Sequence, residues 1–249
     1  MKPGRPLAAF VLAASMLAGH HALAACPQGA LGTSRVMEVD VSRTPGIGTF
    51  QFKTPVLEPG EVILTFDDGP VPSTTPKILD ALAQQCVRAS FFMIGKRAAA
   101  HPELVRRMVE EGHTVASHTF SHAELKALPE AEAEREVVEG YRAVEEAAFG
   151  ETDGDRARFF RFPGFKSTPQ LLAFARAHHI AVVSADMSAQ DWRGGPPEET
   201  MQRLEALLDK KGRGIIVLHD NQQNTAALLP ALLDELKARG LRVVHMEPK

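Results

Sequence analysis

Alternation is the property that most limits the folds open to this chain. From residue 60 onward, apolar strand-like runs recur at 62–66, 89–94, 114–117, 159–162, 180–184, 214–218 and 241–245. Between them lie stretches with helical spacing and charged outer faces, the clearest at 75–85, 102–111, 130–149, 169–178, 198–210 and 226–239. Pro102, Pro129 and Pro169 stand where a first helical turn tolerates a missing N–H. Gly112, Gly212 and Gly240 stand where helices stop. Strands that alternate with helices predict parallel βαβ units. About seven such units in 249 residues predict one α/β domain, either an incomplete or distorted (β/α) barrel or an open doubly wound sheet. Periodicity by itself does not separate these two.

The first 60 residues do not follow that rhythm. Lys2 and Arg5 make a basic start, residues 7–17 are apolar but too few to span a bilayer, and Ala22-Leu23-Ala24 has the small-x-small form of a cleavage site. Residues 1–25 therefore read as an export signal, and no transmembrane span is expected after its removal. Leu23-Ala24-Ala25-Cys26 also resembles a bacterial lipoprotein box, which makes a lipid anchor at Cys26 the alternative. Simple cleavage is favoured, because the chain has two cysteines and an oxidising compartment lets Cys26 pair with Cys86. Lipidation would consume the same sulfur, so the two outcomes exclude each other. Residues 26–60 read as a short N-terminal β extension. In it, 36–41 is an expected strand, 46–52 its expected partner, and the pair is expected to pack against one end of the main domain, residues 61–249. The formal charge of −3 gives no reason to expect nucleic acid.

Polar clusters fall at the C-terminal ends of the predicted strands. Asp67-Asp68 follows the first, Ser117 to His122 the third, Arg161 to Phe165 the fourth, Asp186 and Asp191-Trp192 the fifth, and His219-Asp220 the sixth. In parallel α/β folds those ends line one face, where active sites form. His118 and His122 are four apart, so one helical turn would aim both rings the same way. With Asp68 they make two nitrogens and one carboxylate, a donor set suited to a catalytic metal with an open position for water. The plainer alternative is a pair of satisfied loop histidines, and Asp67-Asp68 on the same rim weighs against it. Asp67 is the candidate base for such water. His219 is the candidate acid, with Asp191 or Asp186 holding it cationic, and Arg161 pairs with Asp67. No G-x-S-x-G elbow is present. Cys86 lies in a helix-to-strand connection far in sequence from the five clusters.

Over residues 61–246 these clusters, in this order, resemble the polysaccharide deacetylase family, also called NodB-homology or carbohydrate esterase family 4. Thr65-Phe66-Asp67-Asp68-Gly69-Pro70 is similar to its first motif and Ser117-His118-Thr119-Phe120-Ser121-His122 to its second. Arg161-Phe162-Pro163 is similar to the third, Asp191-Trp192 to the fourth and Leu218-His219-Asp220 to the fifth. The resemblance implies a distorted (β/α)7 barrel and a divalent metal held by Asp68, His118 and His122. Zinc is the usual ion, with cobalt or another divalent ion as alternatives. It implies Asp67 as base, His219 as acid, and an oxyanion met by the metal and the Gly164 N–H. Pro163, Gly164 and Phe165 would bind substrate, Leu218 would line an acetyl pocket, and Trp192 would wall the groove. Two departures stand out. The fourth motif is two residues longer than D-x-x-D-W, with Ser188 where its first Asp is expected and Asp186 displaced. Gly164 stands where an aromatic residue is frequent, and Phe165 partly compensates.

The expected protein is thus a periplasmic or secreted hydrolase of C–N bonds other than peptide bonds. It removes N-acetyl groups from an acetylated, N-acetylglucosamine-type glycan by metal-activated water. The rivals are a related metal hydrolase acting on O-acetyl esters or cyclic amides, and an inactive glycan-binding barrel.

Overall fold

The computed structural model describes residues 26–44, 46–53, 56–150, 156 and 158–249. The expected signal over 1–25 lies outside the described residues. In chain order the elements are β1 (Thr33–Val39), β2 (Gly46–Ile47), β3 (Glu61–Asp67), α1 (Thr75–Gln84), β4 (Ser90–Met93), α2 (Gly95–Ala100), α3 (Pro102–Glu110) and β5 (Thr114–Ser117). They continue as α4 (Glu130–Phe149), β6 (Phe159–Phe160), α5 (Pro169–Ala177), β7 (Ala181–Val183), β8 (Met187–Ser188), α6 (Pro197–Lys211), β9 (Gly214–His219), α7 (Gln223–Ala238) and β10 (Arg242–Pro248). Each strand and helix predicted beyond residue 60 is present, within a few residues of its expected ends. The glycine stops at Gly150 and Gly212 adopt left-handed φ values of 73° and 65°, which closes α4 and α6.

Every strand pairing is parallel, as crossover helices demand. β3 lies at the centre, between β4 on one side and β9 and β10 on the other. Successive side chains of a strand point to opposite faces, and the core divides accordingly. Ile63, Phe92, Ala116, Phe159, Ala181, Val183, Ile215 and Val244 pack together on the inner face. Val62, Leu64, Phe66, Phe91, Met93, Ile216 and Leu218 pack outward against α1, α3, α6 and α7. This two-layered core, wrapped by helices, is the distorted (β/α) barrel that the motif resemblance implied. β7 and β9 share no ladder. The chain itself crosses between them, with Asp186 N–H donating to the Ile215 carbonyl (2.8 Å) before β8 joins β9.

The segment before residue 61 is arranged differently from the expectation. β1 pairs with β10 and β2 with β7, so the two do not form a hairpin, while Val39, Val41, Ile47 and Leu57 pack with the inner-face residues of the main domain. β1 finds the otherwise open edge of β10 over Thr33 to Val39. Gly48, at φ 94°, turns the chain after β2, and Phe52 N–H closes that turn on the Gly48 carbonyl (2.9 Å). Residues 48–52 therefore make a turn and not a strand. Cys26 is joined to Cys86, with Cα atoms 5.8 Å apart, which ties the start of the described chain to the α1–β4 connection. Of the two fates expected for Cys26, the structure has the disulfide.

Candidate active site

β3 and β9 set the centre. Their register puts Asp67 beside His219, and both point to the inner face that Thr65 and Ile63 share. Asp67 is buried, and its Oδ1 accepts a hydrogen bond from Arg161 Nη1 at 2.6 Å. Arg161 is itself wholly buried. Three further donors reach Thr65 Oγ1 and the carbonyls of Val183 and Ser184, each at 2.9 Å, and the guanidinium lies over Phe92. A buried charge with four of its five N–H donors engaged is a rigid partner. Burial pushes the Asp67 carboxyl up, against the opposing pull of Arg161 and His219.

Asp68 turns away from β3 at φ 76°, a left-handed value that a short carboxylate tolerates. Arg97 Nη1 holds its carbonyl at 2.6 Å. Asp68 Oδ1 lies 3.6 Å from His118 Nε2 and 3.3 Å from His122 Nε2, and it is buried without a hydrogen-bond partner. A ligand atom from each of the three residues falls within 4.8 Å of the others. His118 Nδ1 lies 2.8 Å from the Arg161 carbonyl, which can only accept, so the proton sits on Nδ1 and the Nε2 lone pair faces Asp68. Burial pushes the His118 pKa down to about 3, which keeps the ring neutral. A neutral imidazole with its tautomer fixed by a carbonyl, beside an orphaned carboxylate oxygen, is the chemistry a divalent cation requires. The residues therefore fit the group.

The two histidines are brought together by a loop, contrary to the expected helical turn. Thr119 and His122 have φ values of 68° and 65°, which no helix accommodates. The loop is fastened from below by α4. Glu136 accepts from Ser121 N–H at 2.8 Å and Ser121 Oγ at 2.7 Å, and its own carbonyl accepts from Phe120 N–H at 3.0 Å. Gly140 lets α4 approach, since a Cβ there would lie 2.4 Å from the Thr119 carbonyl carbon.

His219 faces Asp191. Its Nδ1 lies 2.8 Å from Asp191 Oδ1, and its backbone N–H donates to Asp191 Oδ2 at 2.6 Å. Thr225 Oγ1, from the first turn of α7, donates to the same Oδ2. Burial pushes the His219 pKa down, but the hydrogen bond and charge of Asp191, with Asp67 and Asp68 behind, outweigh it and raise the value to about 9. The ring is an imidazolium at neutral pH.

Two expected site residues lie elsewhere. Asp186 accepts from Thr49 N–H (2.8 Å) and Ile215 N–H (2.7 Å), near the start of β9. Four residues of strand, roughly 13 Å at the usual rise, separate that position from His219. Asp186 bridges β9 to the turn after β2 and does not support His219. Leu218 points away from His219, into the helix-facing core, because neighbouring strand residues face opposite ways. Val217 is the apolar side chain on the His219 face. Pro163, Gly164 and Phe165 form a single turn after β6, with φ near 58° at Gly164 and 59° at Phe165. Trp192 is exposed on the turn beside Asp191.

Residues 56–183 match the sequence profile described as polysaccharide deacetylase. The chain is 34% identical over 196 residues to a chitooligosaccharide deacetylase of Bradyrhizobium, covering 73% of this chain and 87% of that one. The chain belongs to the polysaccharide deacetylase family. A second relative is the peptidoglycan-N-acetylglucosamine deacetylase of Bacillus cereus, 30% identical over 191 residues, with 75% of this chain and 66% of that one covered. Among solved structures, the Bdellovibrio bacteriovorus peptidoglycan deacetylase is similar with a TM-score of 0.78 and 30% identity. The likeness covers 88% of this chain, more than residues 61–249 alone supply, and this chain spans 60% of that one. Thr225 and Glu136 are polar members of this deacetylase-family site that the sequence did not point to. Asp220 is buried behind Asp68, accepts from Thr75 Oγ1 at 2.7 Å, and is pushed by burial up to about 7.

Proposed function

We propose that this polysaccharide deacetylase family member is a metal-dependent hydrolase that removes N-acetyl groups from an N-acetylglucosamine-type oligosaccharide or polysaccharide. The observation that carries the reading is the placing of Asp67 and His219 on paired positions of β3 and β9, beside the Asp68–His118–His122 cluster. The names of the Bradyrhizobium and Bacillus relatives support the acetamido substrate.

Asp68, His118 and His122 would hold the cation, with zinc the best match to two nitrogens and one oxygen and cobalt the alternative. When bound, the cation polarises the acetyl carbonyl and acidifies water. Asp67 takes the proton of the attacking water at Oδ2, since Arg161 occupies Oδ1. Arg161 keeps that carboxylate oriented and ionised. His219, held by Asp191, donates from Nε2 to the departing sugar nitrogen. Thr225 fixes Asp191. The Gly164 N–H serves the developing oxyanion, and Pro163, Phe165 and Trp192 shape the sugar groove. The signal-like residues 1–25 and the Cys26–Cys86 bond support an exported, periplasmic or secreted protein.

The test is acetate release from N-acetylglucosamine oligomers by chelator-stripped protein, before and after zinc is restored. Release only with zinc is expected. Zinc binding without release would redirect the chemistry to an O-acetyl ester or cyclic amide. Neither binding nor release would leave a glycan-binding barrel.

A further inference from the structure

Among the described residues, three large hydrophobic side chains are exposed: Val36, Phe50 and Trp192. Val36 lies on β1 and Trp192 beside Asp191. Phe50, 44% exposed, sits on the turn that follows β2 and lies outside every motif read from the sequence. Its backbone is nonetheless held firmly. Phe50 N–H donates to the Ala185 carbonyl at 2.9 Å, and Gln51 Nε2 reaches Ser167 Oγ at 3.0 Å. The turn lies so close to β7 that a Cβ on Gly48 would stand 2.7 Å from the Ser184 carbonyl carbon.

The fixed backbone presents the Phe50 ring edge-on to Phe165, with centroids 5.2 Å apart. Phe165 adopts φ 59°, an uncommon value for a bulky residue, of the kind retained where a side chain must be aimed. Its ring lies 5.8 Å from the Arg161 guanidinium, which binds Asp67. Phe50 is therefore one ring farther from the hydrolytic centre than Phe165, on a continuous aromatic path. Lys211 Nζ stands 5.8 Å from the Phe50 ring; it gives one N–H to the Asp186 carbonyl at 2.6 Å, which leaves two for a ligand at the ring.

We propose that Phe50 is the platform of a sugar subsite that adjoins the hydrolytic centre. It takes the apolar C–H face of a pyranose in the same glycan chain as the deacetylated residue, with Lys211 meeting an oxygen on that sugar. The proposal rests on the glycan deacetylase reading. A pyranose suits this surface because its C–H groups carry the partial positive charge that an aromatic face attracts, while its hydroxyls remain free for the lysine. The segment before residue 61 thus enters function as part of the substrate groove, and substrate length becomes a determinant of specificity.

The experiment compares zinc-loaded wild type, Phe50→Ala, Phe50→Trp and Val36→Ala on short and long N-acetylglucosamine oligomers. Phe50→Ala should lower the long-to-short ratio of kcat/KM by roughly fivefold or more, chiefly through KM. Phe50→Trp should restore the ratio, and Val36→Ala should leave it at the wild-type value. An unaltered ratio in Phe50→Ala overturns the subsite. Should wild type release no acetate from any oligomer, the deacetylase reading falls, and oligomer binding by calorimetry then judges the subsite separately. Weaker binding by Phe50→Ala than by wild type supports it, and equal affinities, or no binding by either, overturn it.

Discussion

Replacing Asp191 by Asn removes one charge and almost no volume, and it should disarm His219. In the wild type, His219 is pushed down by burial and lifted by Asp191, with the balance at about 9. Without the carboxylate charge, burial is opposed only by the more distant Asp67 and Asp68, so the ring should titrate at or below the unperturbed value of about 6.5. The difference corresponds to a coupling of roughly 3 kcal/mol between His219 and Asp191. Asn also serves the geometry poorly. One oxygen must replace two, where His219 N–H, His219 Nδ1 and Thr225 Oγ1 all now find acceptors. At pH 7.5 the imidazolium fraction should fall from nearly all molecules to about a tenth. If His219 is the acid, kcat/KM for acetate release falls by at least about tenfold, and its high-pH limb moves down. The sign for stability follows from the same shift. A raised histidine pKa stabilises the fold below the unfolded value near 6.5, and that contribution disappears as pH rises through about 9. The assay is an NMR titration of the His219 ring in metal-free wild type and Asp191→Asn, paired with a pH–rate profile of the zinc-loaded proteins. A wild-type ring titrating near 6.5, or a variant ring still near 9, would refute the reasoning.

Two further changes test parts of the scaffold. Gly69→Ala would place a Cβ 1.8 Å from Asp220 Oδ2, so it should destabilise the fold by about 1–3 kcal/mol in urea. The loss should be less than additive with Asp220→Ala, and full additivity would show that the two residues are not opposed. Glu136→Ala removes both side-chain bonds to Ser121, next to His122. It should weaken zinc by on the order of tenfold in competition with a chromophoric chelator, and unchanged affinity would show that the loop holds itself.

What the sequence made legible was chemistry at strand ends. Asp67-Asp68 closes an apolar run, and a buried strand seldom ends that way for packing alone. Clusters of polar residues at four further strand ends then pointed to one rim. The illegible part was orientation. Leu218 sits next to His219 in sequence but on the other face of β9, and single-residue alternation decides that only when the register is known. Asp186 has the right residue type near the fourth motif, yet its register beside Ile215 sets it too far down β9. The 118–122 spacing suits a helix, but Glu136 and Gly140, contributed by α4, impose a loop that spacing cannot reveal. Thr225 and Glu136 carry no signal beyond an ordinary helical pattern, because their partners lie 34 and 15 residues away. The missed pairing of β1 and β2 has a similar origin. Each strand satisfies a distant edge, and a segment before the barrel gives no local sign of which edge is open.

The most direct test of the account separates holding the cation from moving the proton. Asp67→Asn retains an oxygen for Arg161 and leaves Asp68, His118 and His122 in place. Zinc affinity and acetate release from N-acetylglucosamine oligomers should be measured on the same protein samples. The account predicts affinity close to wild type and release reduced by about a thousandfold. Release at the wild-type rate with zinc bound would contradict the role of Asp67 and the mechanism built on it.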